Sequence, residues 1–301
     1  MEKTNEIRPE LYAQIKQKAL DLGLYAANMP EEHGGAGVDS LTLCLMEREL
    51  GRANFGLQYI VGRPSNILLA CKGDQIENYL HASIRGEKVD CLALTEPNAG
   101  SDVRSMQCRA ERDGDDFIIN GTKHFISHAD VADFVILFAA SGVEQTPRGP
   151  KKKITSFLVD IGTPGFTVEP GYNSVSHRGY HNCILNFDNC RVHKSQVLGE
   201  EDHGFDVANQ WLGATRLSVA AMCLGRAERA LEIATEWAAN RKQFGQTIGK
   251  FQGVSFKLAD MATELKAAEL LTMYAAWRDC TGEMTDSDAA MAKLKATEML
   301  A

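Results

Sequence analysis

The 301-residue sequence lacks the features that would assign it to a membrane or secreted class. It has no uninterrupted apolar run approaching the roughly 18 residues that a membrane-spanning helix needs. Its first six residues, MEKTNE, show none of the apolar stretch that marks a signal peptide. We therefore expect no membrane association and a cytoplasmic location.

Basic residues are outnumbered by acidic ones. There are 32 Lys and Arg against 40 Asp and Glu, which gives a formal net charge of −8. The only dense basic run is Lys151–Lys153, close to Pro147 and Pro150, and we interpret it as a solvated loop. Because phosphate neutralisation requires a basic face, we expect no nucleic-acid partner.

The eight cysteines are scattered, and no CxxC pair occurs among them. This pattern favours reduced cysteines over a disulfide framework or a zinc ribbon. His177 and His181 are four residues apart, but they lie among turn and strand signals with no carboxylate nearby in the sequence. A structural histidine pair is therefore favoured there, and no metal site is expected.

Hydrophobic spacing divides the chain into helical, β-rich and helical parts. Apolar residues three or four apart predict helices in 11–22 and 41–50, the second with Asp39 as its N-cap. Short β-rich runs separated by turn residues extend from 91 to 197. Helical spacing returns after Gly204.

Two further helices are predicted in the last part of the chain. One has its apolar stripe between Phe251 and Leu271, and the other begins near Ser287 or Asp288. The order predicts an α+β protein with an N-terminal helical domain (1–88), a middle antiparallel β-domain (89–198) and a C-terminal helical bundle (199–301).

Two polar motifs stand out in the β-rich part, LALTEPNAGSD at 92–102 and INGTKHFIS at 119–127. Gly100 permits a positive φ, and the hydroxyls of Thr95 and Ser101 can face an anion or a flavin edge. Taken alone, the first motif is more often an ordinary polar turn. An alternating strand explains the apolar residues of the second motif but not its polar ones.

Both motifs resemble the acyl-CoA dehydrogenase family, whose patterns here are LTEPxAGSD and GxKx-aromatic-I-S/T. The resemblance implies helical, barrel-like β and helical domains, with FAD as cofactor. In the family, the match to Phe125 covers one flavin face, although many members have Trp there, and the match to Ser127 hydrogen-bonds near N5. The expected cofactor contacts in these segments are Leu92, Leu94, Thr95, Ser101, Phe125, Ile126 and Ser127.

A third segment, RKQFGQTIGKFQ at 241–252, is similar to the family pattern RxxFGxxIxxxQ. The resemblance implies that Arg241 reaches the FAD pyrophosphate across a subunit interface, with Gln243, Phe244 and Gln252 completing the contact. A homodimer or homotetramer is therefore expected. Without the resemblance, Arg241 is more simply a solvated arginine at a helix end.

The segment 211–217 resembles the family helix that lines the acyl-CoA site. Thr215 and Arg216 are therefore the expected substrate contacts, together with Ser101, although a pair within the helix is an alternative for Arg216. One branch of the family has its catalytic glutamate where Thr215 stands, and threonine cannot be that base.

The other branch of the family has its base after a QxxGG motif, and neither occurs before Ala301. The family's first helix is also expected to be missing. The sequence therefore predicts a piece trimmed at both ends, with an incomplete helical bundle, which lacks the base and does not turn over.

The resemblance implies FAD-dependent α,β-dehydrogenation of an acyl-CoA thioester to trans-2-enoyl-CoA, with electrons passed to an electron-transferring flavoprotein. Two alternatives stay open. One is a non-redox module of the same fold that binds acyl-CoA or flavin, and the other is an acyl-CoA oxidase or enoyl-CoA reductase. The sequence does not assign the acyl group.

Overall fold

The computed structural model describes residues 5–62, 64–147 and 149–301, except for the side chains of Gln210, Trp211 and Ala214. It divides into two compact units. Unit 1 consists of Met1–Gly37 and Phe55–Trp211, and unit 2 consists of Val38–Asn54 and Leu212–Ala301. The three-domain division at 88/89 and 198/199 stays a prediction.

The helices occupy the two ends of the sequence, and most strands lie between them. The helices are α1 (Pro9–Asp21), α2 (Ser40–Gly51), α3 (Phe55–Ile60), α4 (Ala82–Ile84), α5 (Gly204–Asn240), α6 (Gln252–Cys280) and α7 (Asp286–Leu300). The strands are β1 (Asp90–Ala93), β2 (Arg109–Asp113), β3 (Asp116–Ser127), β4 (Phe134–Thr146), β5 (Gly149–Asp160), β6 (Phe166–Tyr172), β7 (Asn182–His193), β8 (Val197–Leu198), β9 (Lys242–Gln243) and β10 (Gln246–Thr247).

Unit 1 is built on a curled sheet that forms half a barrel. Its strand order is β6-β7-β3-β2-β4-β5-β8, and most neighbouring strands are antiparallel. The predicted α+β fold class is therefore confirmed. Two parallel pairings were not predicted: β1 runs parallel to β4, with Asp90 opposite Phe134, and β2 also meets β4 in parallel, with Arg109 opposite Ala140. Residue alternation shows which side chains share a face, but it does not show the direction of a partner strand.

Strand β4 explains why the sequence contains the apolar run FVILFAA. Phe134, Ile136 and Phe138 pack in one hydrophobic core with Met29 and Leu80 from the helical part of unit 1. The alternate side chains of the strand pack into a second core inside the curled sheet. A strand buried on both faces has no polar alternation, so a continuous apolar run is what this position requires.

Unit 2 is a helical bundle in which α2 lies very close to residues 212–240 of α5. A Cβ added at Gly225 would lie 1.8 Å from the carbonyl oxygen of Arg48, so only glycine permits this approach. Arg48 also forms ion pairs with Glu228 and Glu269, each at 2.9 Å. These contacts fix α2 to the helices that follow the sheet in sequence.

The ends of two helices test the capping predictions. Asp39 is the N-cap of α2 as predicted, and its Oδ1 accepts a hydrogen bond from the Thr42 amide at 2.8 Å. Helix α7 begins at Asp286, one or two residues earlier than predicted. The reason is a reciprocal capping box, in which Thr285 is the N-cap and Asp288 accepts from the Thr285 amide.

Candidate active site

The two polar motifs of the β-rich part meet in space where β1 ends. The amide of His124 donates to the carbonyl oxygen of Thr95 at 3.0 Å. The ammonium of Lys123 donates to the carbonyl oxygen of Leu94 at 3.0 Å. These two bonds hold the segment after β1 against the middle of β3, so residues 92–95 and 123–127 form one structural element.

A buried ion pair fixes this junction. Lys123 Nζ lies 2.7 Å from Glu96 Oε1, and the two side chains are 0% and 3% exposed. Glu96 also accepts from the backbone amides of Gln107 at 2.5 Å and Cys108 at 3.0 Å. The buried charges are therefore paired and hydrogen-bonded, as burial of an ion requires. The sequence-based site omitted this pair, although both residues stand inside the two motifs.

A β-bulge turns Phe125 out of the sheet. The register between β3 and β7 shifts between Lys123 and Ile126, and Phe125 has a φ of +55°. Phe125 is 52% exposed, and its ring centroid lies 4.5 Å from that of Tyr172. Bulges commonly re-aim a side chain beside a functional site. The next residue, Ile126, is 2% exposed and belongs to the core, so any cofactor contact from Ile126 would come from its backbone.

Ser127 is the last residue of β3 and is half-buried. It stands opposite Asn182 in the register of β3 and β7, and its Oγ is 3.3 Å from Asn182 Oδ1. The hydroxyl that the sequence assigned to the flavin therefore has an acceptor on β7.

An aromatic cluster lies directly beside Ser127. His128 has a φ of +59°, and its ring stacks on Tyr59 with 3.7 Å between centroids. The ring of Tyr180 contacts His128 edge-on at 4.2 Å and Phe55 at 4.4 Å. We define the aromatic cluster as Phe55, Tyr59, His128 and Tyr180. Nothing in the sequence pattern indicated it, because its members come from three separate segments.

His128 is the histidine of this cluster, and its ring is buried. Burial lowers the pKa of His128 to about 4, against a smaller opposing effect of Asp130. Its Nε2 has no hydrogen-bond partner among the residues that the structure describes. His128 is therefore neutral at pH 7, and its ring serves as a flat, uncharged surface behind Ser127.

The loop after β1 closes without the left-handed conformation that glycine allows. Gly100 permits a positive φ but does not use one, because its φ lies outside that region. The turn is instead closed by paired backbone bonds between Glu96 and Ala99, at 2.9 and 3.2 Å. Thr95 is half-buried and Ser101 is exposed, so both hydroxyls lie near the surface of this loop.

Leu92 and Leu94 hold the start of the first motif in place. Leu94 is 9% exposed and packs in the core between the sheet and the helices of unit 1. Leu92 is partly buried against the same core. Their side chains are therefore structural, and the polar groups that they offer to a ligand are those of the backbone.

The residues around Arg241 form a short hairpin in unit 2. Phe244 and Gly245 have φ values of +49° and +76°, which suits a two-residue turn between β9 and β10. Phe244 is 92% exposed. Arg241, Gln243 and Gln252 are also exposed. The guanidinium of Arg241 has no hydrogen-bond or ion-pair partner within the described part of the chain.

Thr215 and Arg216 lie on α5 in unit 2. The hydroxyl of Thr215 donates to the carbonyl oxygen of Leu212 at 3.2 Å. Arg216 forms an ion pair with Asp286 at 3.1 Å, and the Asp286 side chain is 97% exposed. Pairing within the helix, the alternative weighed for Arg216, is therefore not what holds it. An exposed pair of this kind contributes little stability, so Arg216 can exchange Asp286 for another anion.

His181 has a carboxylate partner that the sequence did not indicate. Its Nδ1 lies 2.6 Å from Asp130, 51 residues earlier, and its Nε2 lies 2.8 Å from the carbonyl oxygen of Asn5. The expectation that no carboxylate accompanies this histidine was wrong, because a sheet brings distant segments together. Across the described ranges, no three His, Cys, Asp or Glu side chains are grouped as metal ligands.

The geometry at β3 fits the ring of a flavin. Phe125 offers an exposed aromatic face, Ser127 offers a hydroxyl two residues later, and the end of β1 offers backbone and the hydroxyl of Thr95. A flat conjugated ring with polar edges needs this combination of an apolar face and hydrogen-bonding groups. The residues present therefore fit the cofactor that the sequence implied.

Family models match almost the whole chain. The acyl-CoA dehydrogenase N-terminal domain matches residues 1–87, the middle domain matches 91–190 and the C-terminal domain matches 202–301. The chain belongs to the acyl-CoA dehydrogenase family. Members of this family are FAD-dependent oxidoreductases.

Two curated relatives illustrate the similarity within the family. The 3-(aryl)acrylate reductase of Clostridium sporogenes is 37% identical over 99% of this chain and 78% of its own length. The human mitochondrial short-chain specific acyl-CoA dehydrogenase is 36% identical over 95% of this chain and 69% of its own length.

Solved structures agree with this assignment. Butyryl-CoA dehydrogenase from Megasphaera elsdenii has a TM-score of 0.87 and 33% identity, over 99% of this chain and 78% of that chain. A structure described as the electron transferring flavoprotein of Acidaminococcus fermentans has a TM-score of 0.82 and 31% identity, over 97% of this chain and 85% of that chain. Among the residues that the structure describes, this chain has no helix that is long and apolar enough to cross a bilayer.

The comparisons leave the individual site residues as predictions. They also leave open whether a base is absent up to Ala301, so that expectation stays a prediction too. Within the site, the structure shows direct contacts between the two motifs, from Lys123 to Leu94 and from His124 to Thr95.

Proposed function

We propose that this family member binds the flavin ring of FAD against the bulge of β3 and the end of β1, and oxidises an acyl-CoA thioester to a trans-2-enoyl-CoA. The observation that carries this proposal is the bulge itself. It exposes the ring of Phe125 two residues before the Ser127 hydroxyl, beside the segment that Lys123 anchors.

Each group of the chain has a distinct part in this proposal. Bound FAD would supply the acceptor for the hydride that leaves the β-carbon of the acyl group, and the α-proton would be taken by a carboxylate base, which is none of the residues assigned here. Phe125 covers one face of the ring and excludes water from it. Ser127 supplies a hydrogen bond at the reactive edge, and the backbone from Leu92 to Thr95 positions the opposite edge. The buried Lys123–Glu96 pair keeps these groups in register.

The phosphate end of FAD is assigned to unit 2. Arg241 has an unpartnered guanidinium, whose planar donor fork suits a pyrophosphate. Gln243, Phe244 and Gln252 are exposed around it and complete the assignment. In the family resemblance this contact crosses a subunit interface, so the proposal includes a homodimer or homotetramer.

Acyl-CoA and an electron acceptor are the remaining partners. Ser101, Thr215 and Arg216 are assigned to acyl-CoA, with Arg216 exchanging its exposed partner Asp286 for an anionic group of the substrate. An electron-transferring flavoprotein is the proposed acceptor. The similarity to a structure described as such a flavoprotein supports this choice.

A second candidate is the reverse reaction, reduction of a conjugated carbon–carbon double bond. One observation favours it, since a relative that is 37% identical is a 3-(aryl)acrylate reductase. The same residues serve both directions, because the flavin edge and the Ser127 hydroxyl are common to the two.

A visible spectrum tests the proposal. The protein is purified, loaded with FAD and titrated anaerobically with a panel of acyl-CoAs, while the flavin band is recorded. Bleaching by a saturated acyl-CoA supports dehydrogenation. Reoxidation of the chemically reduced flavin by an enoyl-CoA or an arylacrylate, without bleaching by any acyl-CoA, favours the reductase. A protein that cannot be loaded with FAD contradicts both.

A further inference from the structure

The backbone of Phe125 is strained and needs support from its surroundings. Its φ of +55° lies in the left-handed region, which is unfavourable for an aromatic residue. Across the described register of β3 and β7, neither His124 nor Phe125 has a partner residue, because the register shifts between Lys123 and Ile126. Strand pairing therefore does not fix the direction of the Phe125 ring, and side-chain contacts must do so.

The sheet places Tyr172 on the same face as Ser127. Asn182 of β7 is paired with Ser127 of β3 on one side and with Tyr172 of β6 on the other. Residues directly opposite each other on neighbouring strands project from the same face of a sheet. The adjacent pair, Ile126 and Cys183, is buried in the core inside the curled sheet. Ser127, Asn182 and Tyr172 therefore form one row on the outer face of the sheet, which we call the outer row.

A second bulge sets the position of Tyr172 in the outer row. The register between β6 and β7 shifts between Glu169 and Tyr172. At Gly171 the two strands are so close that an added Cβ would lie 1.9 Å from the carbonyl oxygen of Asn182. Only glycine permits this approach, so the backbone directly before Tyr172 is held against β7.

The ring of Tyr172 packs on the ring of Phe125. The two centroids are 4.5 Å apart and the two planes are inclined by 32°. Two rings side by side in one plane cannot come this close, so the faces overlap, as in a favourable aromatic pair. The Tyr172 hydroxyl is also 3.4 Å from Nδ1 of His124, whose ring centroid lies 4.3 Å from that of Phe125. Tyr172 thus covers one face of Phe125, while both residues stay about half exposed.

We propose that Tyr172 is a positioning residue for the flavin, whose ring covers the back of Phe125 and holds the open face of Phe125 towards FAD. The proposal rests on the proposed function, since it requires FAD at the bulge of β3. With its back face covered, Phe125 offers the flavin a single face. The plane of the flavin is thereby fixed relative to the Ser127 hydroxyl of the outer row. Tyr172 acts through Phe125 and takes no part in hydride transfer.

The test measures the dissociation constant of FAD by fluorescence titration, together with the visible circular dichroism of the bound flavin, which reports the surroundings of its ring. We expect Tyr172→Ala to weaken FAD binding by roughly two- to tenfold, the size of one aromatic pair, and to change the visible circular dichroism. Tyr172→Phe keeps the ring and should retain the wild-type values of both. In a Phe125→Ala background, Tyr172→Ala should cause no further weakening, because the effect passes through the Phe125 ring.

Tyr274→Ala is the matched control. Tyr274 is also a half-exposed tyrosine beside an aromatic ring, with 6.0 Å between its centroid and that of Trp277 and 35° between the planes, but it lies on α6 in unit 2. We expect Tyr274→Ala to leave the affinity for FAD and the visible circular dichroism unchanged. Tyr172→Leu keeps the test valid if Tyr172→Ala unfolds, since leucine fills the space without an aromatic face and should weaken binding to a similar extent.

The outcomes separate this proposal from the proposed function. Wild-type affinity or wild-type circular dichroism in Tyr172→Ala, or an equal weakening in the Phe125→Ala background, would overturn the role of Tyr172 while the flavin site stands. Equal weakening in Tyr172→Phe and Tyr172→Ala would also overturn it, because the hydroxyl and not the ring would then be responsible. If the wild-type protein does not take up FAD, the proposed function fails, and this proposal fails with it.

Discussion

At the scale of single residues, the pair formed by Lys123 and Glu96 is what holds the site together. Each motif was visible in the sequence, but the pairing was not, because the partners are 27 residues apart and either residue alone looks like an ordinary surface charge. Their burial follows from sheet pairing and loop closure, which hydrophobic spacing does not report. A sequence motif can thus identify a site without identifying the contacts that hold the site together.

Breaking this pair should strongly destabilise unit 1. Lys123→Met leaves Glu96 as an uncompensated buried charge, which costs about 3–5 kcal/mol of unfolding free energy. Lys194→Met is the matched control, because Lys194 pairs with Asp115 at 2.8 Å on the surface, where such pairs contribute little to stability. Urea unfolding followed by circular dichroism measures both. Equal losses in the two variants would contradict the role of the buried pair.

His128 should make stability depend on pH in a defined window. Its pKa is lowered to about 4 in the folded protein, so the unfolded chain binds a proton first as the pH falls below 6.5. The unfolding free energy therefore falls as the pH drops from 6.5 to about 4, and the shift of the His128 pKa corresponds to a fall of about 3 kcal/mol in all. Asp130 and His181 face His128 and belong to the same environment.

His128→Asn tests this window, since asparagine tolerates a positive φ and does not titrate. Burial also raises the pKa of Asp90 to about 6, so Asp90 adds stability as the pH falls. This opposing effect is present in both the wild type and His128→Asn. The measurement is therefore the difference in unfolding free energy between the wild type and His128→Asn, determined by urea unfolding at pH 4.5 and at pH 7.5. We expect the wild type to lose more stability than His128→Asn at the lower pH. The exposed His203 provides a control in His203→Asn, and a pH-independent difference for His128→Asn would contradict the account.

At the scale of elements, the sequence predicted local features well and long-range ones poorly. The N-cap Asp39 and the β-rich run at Phe134–Phe138 are local patterns, and both are found in the structure. The parallel pairing of β1 with β4 and the bulge at Phe125 depend on partner strands 40 or more residues away, so spacing could not reveal them. The sequence named Phe125 as an expected cofactor contact, but it did not predict the bulge that exposes the ring.

Gly121 should be indispensable to the β2–β3 pairing that precedes the bulge. It has a φ of +146°, and an added Cβ would lie 2.6 Å from Cys108 Cα. Gly121→Ala therefore combines backbone strain with a clash and should cost roughly 2–5 kcal/mol. Gly114 also has a positive φ of +64° but faces open space. Gly114→Ala should cost only about 1–2 kcal/mol, and a thermal melt that ranks the two variants in reverse would contradict this reading.

At the scale of the whole molecule, the flavin ring is assigned to the sheet of one subunit and the pyrophosphate to Arg241 of a second subunit. Family membership is established by three matching domains, whereas these two assignments are proposals. The sequence alone predicted the fold class, the family and the cofactor, because the motifs are long and specific. It did not predict the aromatic cluster, because the segments that form the cluster carry no motif.

Arg241→Ala should weaken FAD retention without unfolding the protein. The guanidinium has no partner to lose within the described residues, so the fold should be unaffected while a phosphate contact disappears. We expect a loss of about 1.5–3 kcal/mol, or roughly 10- to 100-fold in the dissociation constant of FAD. Arg229→Ala, which removes an exposed pair with Glu232, is the control. Equal flavin content in the two variants after gel filtration would contradict the assignment.

The most direct measurement for the central claim is an FAD titration of the 301-residue protein beside its Phe125→Ala and Phe125→Trp variants, followed by flavin fluorescence. We predict saturable FAD binding with fluorescence quenching in the wild type, and the same in Phe125→Trp. In Phe125→Ala we predict an affinity for FAD that is at least tenfold weaker, because about 1.5 kcal/mol of aromatic contact is removed. Saturable binding that is indifferent to Phe125 would place the flavin elsewhere, and no binding at all would contradict a flavin site in this chain.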